Sequence, residues 1–375
     1  MKVLLAPDKF KGSLSAVEVC RAMAEGINLY DPEIETVHFP LADGGDGTSE
    51  ILTYHAKGHM VTCPTLNPLF KPIEGSYGIS GDKKTAFIEL AQASGLHLLA
   101  ETERNPMFTS TYGTGLLILD AINKGVEKII LGIGGSATND GGLGLAAALG
   151  YTFIDKGGQE LHPVGKNLSN LYCIQDARLL FDPDKITIEV ACDVRNPLFG
   201  PNGAAFVYAP QKGANSQEVE HLDAGLRQFD KVVTQDLGIA IAGVSGAGAA
   251  GGAGGGAVAF LNARLIPGIE LVMEATNFGK ALKGTDLILT GEGKIDKQTK
   301  EGKVVAGVSQ KAKEHQIPVA AISGILELDT DELLAIGVKQ ARDLISLSKE
   351  PETAIKDAYR LVKELSNQMI EQLLH

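Results

Sequence analysis

The sequence predicts an α/β protein: a Rossmann-like parallel-sheet domain built from both chain ends, with a second α/β domain inserted between them. Three observations predict it. At both ends, short apolar runs alternate with helical patterns through polar or Gly-rich turns, which is the grammar of a parallel sheet. The middle instead carries glycine-punctuated alternating runs, which suit antiparallel strands. Finally, 375 residues with a 44% hydrophobic fraction are enough for two cores.

The run KVLLAP at 2–7 is a buried strand ended by proline. A helix is expected over 14–27, with Ser13 or Ser15 as its cap. A strand at 35–39 and a helix over 48–57 follow. In the middle, strands are expected within 74–90 and at Lys128–Gly132, 186–190 and 205–208, and helices over 112–124, 139–149 and 216–236. The C-terminal quarter repeats the opening pattern. It has a strand at 286–290, a helix over 299–314, strands at 318–322 and 340–347, and a closing helix over 351–373. The implied division is 1–65 plus 282–375 for the Rossmann-like domain and 66–281 for the insertion. The run GVSGAGAAGGAGGGA at 243–257 is alanine-rich, not serine-rich, and flows into apolar sequence. It is expected to be an ordered helix start close to ligand, not a linker.

Composition narrows the function. A net charge of −12 disfavours nucleic acid and anionic membranes as partners. The four cysteines, Cys20, Cys63, Cys173 and Cys192, have no zinc-ligand spacing and read as reduced thiols. Histidines such as His38, His55, His97 and His162 are scattered singly and read as structural. The opening residues read as a strand and not as a signal peptide, and no apolar run approaches a membrane span, so a cytoplasmic protein is expected. Glycine is high, at 45 of 375 residues or about 12%, against a usual ~7%.

The glycines gather where chemistry is expected. Ligands of open parallel sheets bind at the carboxyl ends of the strands. Three predicted strands end there in Asp8-Lys-Phe-Lys-Gly-Ser13, Ala42-Asp-Gly-Gly-Asp-Gly47 and Gly291-Glu-Gly-Lys-Ile-Asp296. A fourth turn, 131–142, contains Gly134, Gly135, Ser136, Thr138, Asn139 and Asp140 between a strand and a predicted helix. Backbone N–H groups and a helix N-terminus there would suit phosphate. No Lys-Ser/Thr follows at P-loop spacing, and the dinucleotide fingerprint match is weak. Phosphoryl transfer needs cations on the phosphate, a carboxylate near metal or hydroxyl, and backbone donors. Lys11, Lys294, Asp193, Asp296 and the Gly-rich turns supply those types.

Eight segments together resemble the bacterial glycerate kinase family of the type that makes 2-phosphoglycerate. They are APDKFKGSLSA (6–16), PLADGGDGT (40–48), IELAQASGL (88–96), RNPMFTSTYGTG (104–115), GIGGSATNDGGLG (132–144), ACDVRNPLFGP (191–201), GAGAAGG (246–252) and TGEGKIDKQT (290–299). The resemblance implies ATP-dependent phosphorylation of D-glycerate, Mg2+ dependence, a monomer or homodimer, and a two-domain fold with an interdomain cleft. Asp193 is then expected as base or metal organiser, with Asp296 a further metal ligand. Lys11 and Lys294 would stabilise phosphate charge. The 134–140 turn with Gly291, Glu292 and Gly293 would contact nucleotide or phosphate. Ser13 would bind substrate, and Asp43 and Asp46 would bind substrate hydroxyls or Mg2+. Arg104 or Arg195 would clamp its carboxylate, for which a guanidinium is the natural bidentate partner. The sequence departs from the family pattern at Lys9, where serine is usual, which moves the expected cation to Lys11, and at Asp46, where glutamate is common. The rival readings are a Rossmann-type dehydrogenase and a non-catalytic metabolite-binding regulator.

Overall fold

A computed structural model describes residues 1–175 and 179–374, apart from the side chain of Glu301. Its strands are β1 (Lys2–Pro7), β2 (Glu35–His38), β3 (His59–Leu66), β4 (Pro72–Ile79), β5 (Thr85–Glu89), β6 (Lys128–Gly132), β7 (Thr152–Ile154), β8 (Cys173–Gln175), β9 (Thr187–Ala191), β10 (Arg264–Ile266), β11 (Leu287–Ile295), β12 (Val319–Leu326) and β13 (Gln340–Asp343). The chain divides into two compact units, 1–43 with 269–375, and 44–268.

The first unit is built on a five-stranded sheet of order β13-β12-β11-β1-β2, parallel throughout. β1 is apolar and buried from Val3 to Pro7, as in a parallel sheet covered on both faces. On one face the helix Ala16–Tyr30 packs against the helix Ala358–Leu374, burying Met23, Ile27, Leu361 and Leu365 with Leu5 and Leu289. Ser15 caps the first of these helices in a reciprocal box with Glu18, contributing about 1 kcal/mol. Gly26 permits the crossing. A Cβ there would lie 2.2 Å from the Lys363 carbonyl oxygen.

The second unit has a six-stranded sheet of order β10-β9-β6-β5-β4-β3. The first four of these strands run parallel, and β4 and β3 join antiparallel. The small antiparallel pair β7-β8 stands apart. One core cluster lies on the main sheet around Ile129, Leu131, Leu117 and Val190. A second gathers around Phe260, Phe229, Leu222 and Phe153.

Several elements differ from the sequence expectation. The predicted strand at 205–208 is a helix, Ala204–Tyr208. Its buried positions, Ala204, Ala205 and Ala209, share one helical face, while Phe206 and Val207 point to solvent. The helix expected over 139–149 is only Leu143–Ala148, so 133–142 is irregular backbone. β11 does not stop at Thr290 but continues through the Gly-rich run to Ile295. After it, a 3-10 turn at Lys297–Glu301 precedes the helix Val304–Glu314. β13 ends at Asp343, and the closing helix is interrupted at Asp357. β3, β7, β8 and β10 carried too little pattern to be predicted. The Gly-rich run 243–257 is ordered, with a left-handed kink at Ala250 and Gly251 leading into the helix Ala253–Leu261.

Candidate active site

In the second unit, the backbone after β6 makes a turn whose apex, Gly134 and Gly135, is solvent-exposed and whose flank, 136–140, is buried. Its shape is held from several sides. Leu96 N–H donates to the Gly135 carbonyl, Ala137 N–H to the Ser94 carbonyl, and the Thr109 hydroxyl to the Ala137 carbonyl at 2.8 Å. The fully buried Asp140 carboxylate accepts from Thr111 N and Oγ1, both at 2.8 Å, and from Gly142 N and Gly144 N at 3.2 and 3.1 Å. Burial pushes the Asp140 carboxyl above its usual range, and these donors pull it back. Asp140 therefore staples the turn from inside. Thr138 and Asn139 are also fully buried. The Thr138 hydroxyl and both polar atoms of the Asn139 amide have no hydrogen-bond partner among the described residues.

One residue of this turn's surroundings gave no signal in the sequence. Lys212 is 3% exposed, and its Nζ donates to Ser136 Oγ and to the Thr138 carbonyl, both at 2.7 Å. Burial lowers its pKa to about 7, against a weaker opposing pull from Asp140. A lone lysine between glutamine and glycine reads as a solvated side chain. Nothing local separates it from the many others that are.

Around the same turn, Asp46 is exposed, with Oδ1 3.7 Å from the point where a Gly135 Cβ would sit. Gly251 packs against the turn's flank, its missing Cβ position 2.0 Å from the Thr138 carbonyl oxygen. Gly213 similarly abuts the Arg104 backbone, and Arg104 Nε is buried without a hydrogen-bond partner among the described residues. Asp193 lies on exposed backbone past the end of β9, and its Oδ1 accepts the Gly268 N–H at 2.7 Å. Arg195 is exposed two residues further on.

In the first unit, the carboxyl ends of the strands bring a row of polar groups together. Glu292 is paired in register with Ser323, and Ser323 with Asp343. Asp8 follows the last β1–β11 pair, Pro7 with Gly291, and donates its N–H to the Gly291 carbonyl. Residues in register on parallel strands project to one face. Burial, then the neighbouring Asp43 and Glu292, push the Asp8 carboxyl up to about 8. Glu292, 4% exposed, is raised to about 7, chiefly by burial. Its Oε1 accepts the Thr299 hydroxyl, Lys303 opposes the rise, and Asp43 and Asp296 add to it. Glu292 Oε2 and the fully buried Ser323 hydroxyl have no hydrogen-bond partner among the described residues. Gly291 and Gly293 serve close strand packing, since a Gly291 Cβ would sit 2.2 Å from the Ile322 carbonyl oxygen and a Gly293 Cβ 3.2 Å from Lys11 N.

The remaining expected residues of this unit have structural partners. The Ser13 hydroxyl donates to the Ile355 carbonyl at 3.0 Å. Lys294 pairs with Glu327 at 2.8 Å and with Asp296 at 3.4 Å. Asp296 caps the following 3-10 turn through Gln298 N at 2.8 Å. Lys11 is exposed in the loop after β1. Among the described residues, no three His, Cys, Asp or Glu side chains gather as a metal-binding group, and no helix is long and apolar enough to cross a membrane. Asp8, the first polar residue after β1, and Ser323, which directly follows the strand expected at 318–322 and lies within β12, were within reach of sequence reading.

Parallel sheets with Gly-rich, polar carboxyl edges and a stapled turn with exposed amides define an α/β protein of the kind that binds small polar ligands at its strand ends. Comparison with known proteins agrees. The sequence profile of the Glycerate kinase family matches residues 3–374. A glycerate kinase of Halalkalibacterium halodurans is 42% identical over 364 residues, covering 96% of this chain and 95% of that protein. A glycerate 2-kinase of Escherichia coli K12 is 42% identical over 361 residues, covering 96% and 94%. A crystal structure from Salmonella typhimurium LT2, of a protein named provisionally as glycerate kinase 2, superposes with a TM-score of 0.90 at 40% identity. It covers 100% of this chain and 98% of that one. The chain belongs to the glycerate kinase family. Neither the dehydrogenase nor the regulator reading finds support among these matches.

Proposed function

We propose that this chain catalyses the ATP-dependent phosphorylation of D-glycerate to 2-phosphoglycerate, acting in the cytoplasm as a monomer or homodimer. The observation that carries the reading is the match to named glycerate kinases across almost the whole of both chains. The site chemistry supports it. Gly134 and Gly135 at the exposed apex, with Ser136 beside them, offer donors of the kind that receives phosphate. Lys11 and Lys294 are the cations assigned to the charge on the transferred group, with Lys294 exchanging its surface partners to do so.

Asp193 is assigned to the glycerate hydroxyl or to Mg2+. Its exposed position at a strand's carboxyl end fits either role. A Mg2+ site made of one or two carboxylates and completed by phosphate oxygens needs no preformed protein cage. When bound, Mg2+ would neutralise charge on the phosphates. Asp46, beside Gly135, is the second carboxylate suited to it, whereas Asp296 is engaged as a cap and an ion-pair partner. Arg104 and Arg195 are assigned to the substrate carboxylate, and Asp43 to a substrate hydroxyl.

The test is a coupled ADP-release assay with D-glycerate, ATP and Mg2+, with the product identified by NMR. Turnover to 2-phosphoglycerate is expected. ATP binding without turnover of D-glycerate would refute the substrate, and no ATP binding would refute the kinase reading.

A further inference from the structure

Lys212 is a long cationic side chain almost wholly inside the second unit, and burying such a group is costly unless its donors are satisfied. Its two acceptors both belong to the turn after β6, namely Ser136 Oγ and the Thr138 carbonyl. The bond to Ser136 has a directional consequence. A hydroxyl whose oxygen accepts from an ammonium or amine has its own hydrogen left to donate elsewhere. Ser136 is 9% exposed and adjoins the exposed apex at Gly135, so its outward side is where that hydrogen can go. The Gly134, Gly135 and Ser136 N–H groups have no backbone acceptor among the described residues. Three amides and one oriented hydroxyl at and beside the exposed apex form a donor set with no backbone acceptor of its own among the described residues. The helix that follows is only six residues long and starts at Leu143, so it does not supply the missing positive potential. The amine behind Ser136 stands in its place.

We infer that Lys212 is a positioning residue that fixes Ser136 as a hydrogen-bond donor to the phosphates of ATP. The inference rests on the kinase reading above and adds a residue to it. Lys212 acts through Ser136 and does not itself reach the ligand. Its two hydrogen bonds need only two N–H donors, which the amine keeps in either protonation state. Asp46, close to Gly135, would repel a bare phosphate, so the ligand is the nucleotide with its divalent cation and not free phosphate.

The experiment is a calorimetric titration of Mg-ATP into the full chain and into the variants Ser136→Ala, Lys212→Met, Lys212→Arg and the Ser136→Ala/Lys212→Met pair. Thermal melts run alongside to confirm folding. Ser136→Ala is expected to weaken Mg-ATP binding about 10- to 100-fold, the range for one hydrogen bond to a charged group. Lys212→Met is expected to weaken it to a similar extent. The double variant should bind no more weakly than the worse single variant, because one residue acts through the other. Lys212→Arg, which keeps the donors, should recover part of the loss. The KM for D-glycerate should stay within about twofold of wild type in every variant that folds, because the lost contact is to the nucleotide alone. Losses in the two single variants that multiply in the double variant would reduce Lys212 to a packing role and overturn the proposal. Should Lys212→Met fail to fold, Ser136→Ala decides alone, and wild-type affinity in that variant overturns the proposal. Wild-type protein with no affinity for Mg-ATP would refute the kinase reading itself, which is a separate outcome.

Discussion

The glycine-rich run at 243–257 has the composition of a linker, yet Gly251 sits where only glycine fits. Its φ is +69°, and a Cβ would lie 2.0 Å from the Thr138 carbonyl oxygen and 2.5 Å from the Asn139 Cα. Both contacts are to backbone, which cannot swing aside as a side-chain tip would. Gly251→Ala therefore incurs two costs. A left-handed non-glycine residue costs about 1–2 kcal/mol, and overpacking a close-fitted site costs about 1–3 kcal/mol. The sum is roughly 2–5 kcal/mol, and for a unit of this size each kcal/mol lowers the melting temperature by about 2–4 °C. The expected fall is thus roughly 4–20 °C in a calorimetric melt. Mg-ATP affinity should fall with it, because the atoms displaced belong to the turn assigned to phosphate. Gly243 provides the control from the same run. A Cβ there meets nothing within 4 Å, so Gly243→Ala should stay within about 1 kcal/mol of wild type. If the two variants melted together, close packing of the run against the turn would be wrong, and the composition would have been the better guide.

Other consequences follow from the same geometry. Asp140→Asn places an amide nitrogen against at least one of the four donors the carboxylate now accepts, so it should destabilise the chain by about 2–4 kcal/mol in urea unfolding and weaken Mg-ATP binding. Asp193→Asn keeps an oxygen for the Gly268 N–H. It should melt like wild type while turnover falls about 10²–10⁴-fold, and near-wild-type turnover would remove Asp193 from the reaction. Glu292 is raised from 4.5 in the unfolded chain to about 7 in the fold. Its contribution to stability is therefore full below about pH 4.5 and is lost as pH rises through 7. Glu292→Gln, still able to accept from Thr299, should match wild type at pH 4 and be more stable by up to about 3 kcal/mol at pH 8. Equal unfolding free energies at both pH values would refute the raised carboxyl.

Where one strong local signal decided an element, the sequence was enough to place it. β1, β6 and the helix Ser216–Leu237 follow directly from apolar runs or helical periodicity. The failures have physical causes. Phe206-Val-Tyr208 has strand chemistry, but the positions that pack are Ala204, Ala205 and Ala209, whose small size gave no periodic signal. Gly291 and Gly293 were read as a turn because glycine permits one. In the fold they are strand: β12 approaches Gly291 too closely for any side chain, and the backbone of Phe10 and Lys11 lies against Gly293. The same ambiguity affects the candidate site. Glycine-rich turns and carboxylates at strand ends were visible, but the function of each depended on tertiary partners. Asp140 and Asn139 look alike in the sequence, yet one is satisfied by four donors and the other by none among the described residues. Lys212 lies 76 residues from Ser136, and no local rule connects them.

The two units hold their reactive groups in opposite ways, and the difference bears on what each group can do. In the second unit, the buried carboxyl of Asp140 is surrounded by donors and fixes the backbone of the turn. In the first unit, Asp43 and Glu292 raise Asp8, and Asp43 raises Glu292, while Lys9 opposes the first rise and Lys303 the second. A fold selected for stability alone would place Gln or Ser at Glu292, since the carboxylate is costly above pH 7. Keeping three acids in mutual repulsion, with Glu292 Oε2 and Ser323 Oγ both lacking a partner among the described residues, is the pattern expected where stability is given up for a site. A cationic or hydroxyl-bearing ligand would relieve that repulsion, and it would lower the pKa of Asp8 and Glu292 together because the two are coupled. The stabilisation of Glu292→Gln at pH 8 and any loss of turnover in the same variant would then have one origin. The charge that destabilises the free protein would be the charge the ligand requires.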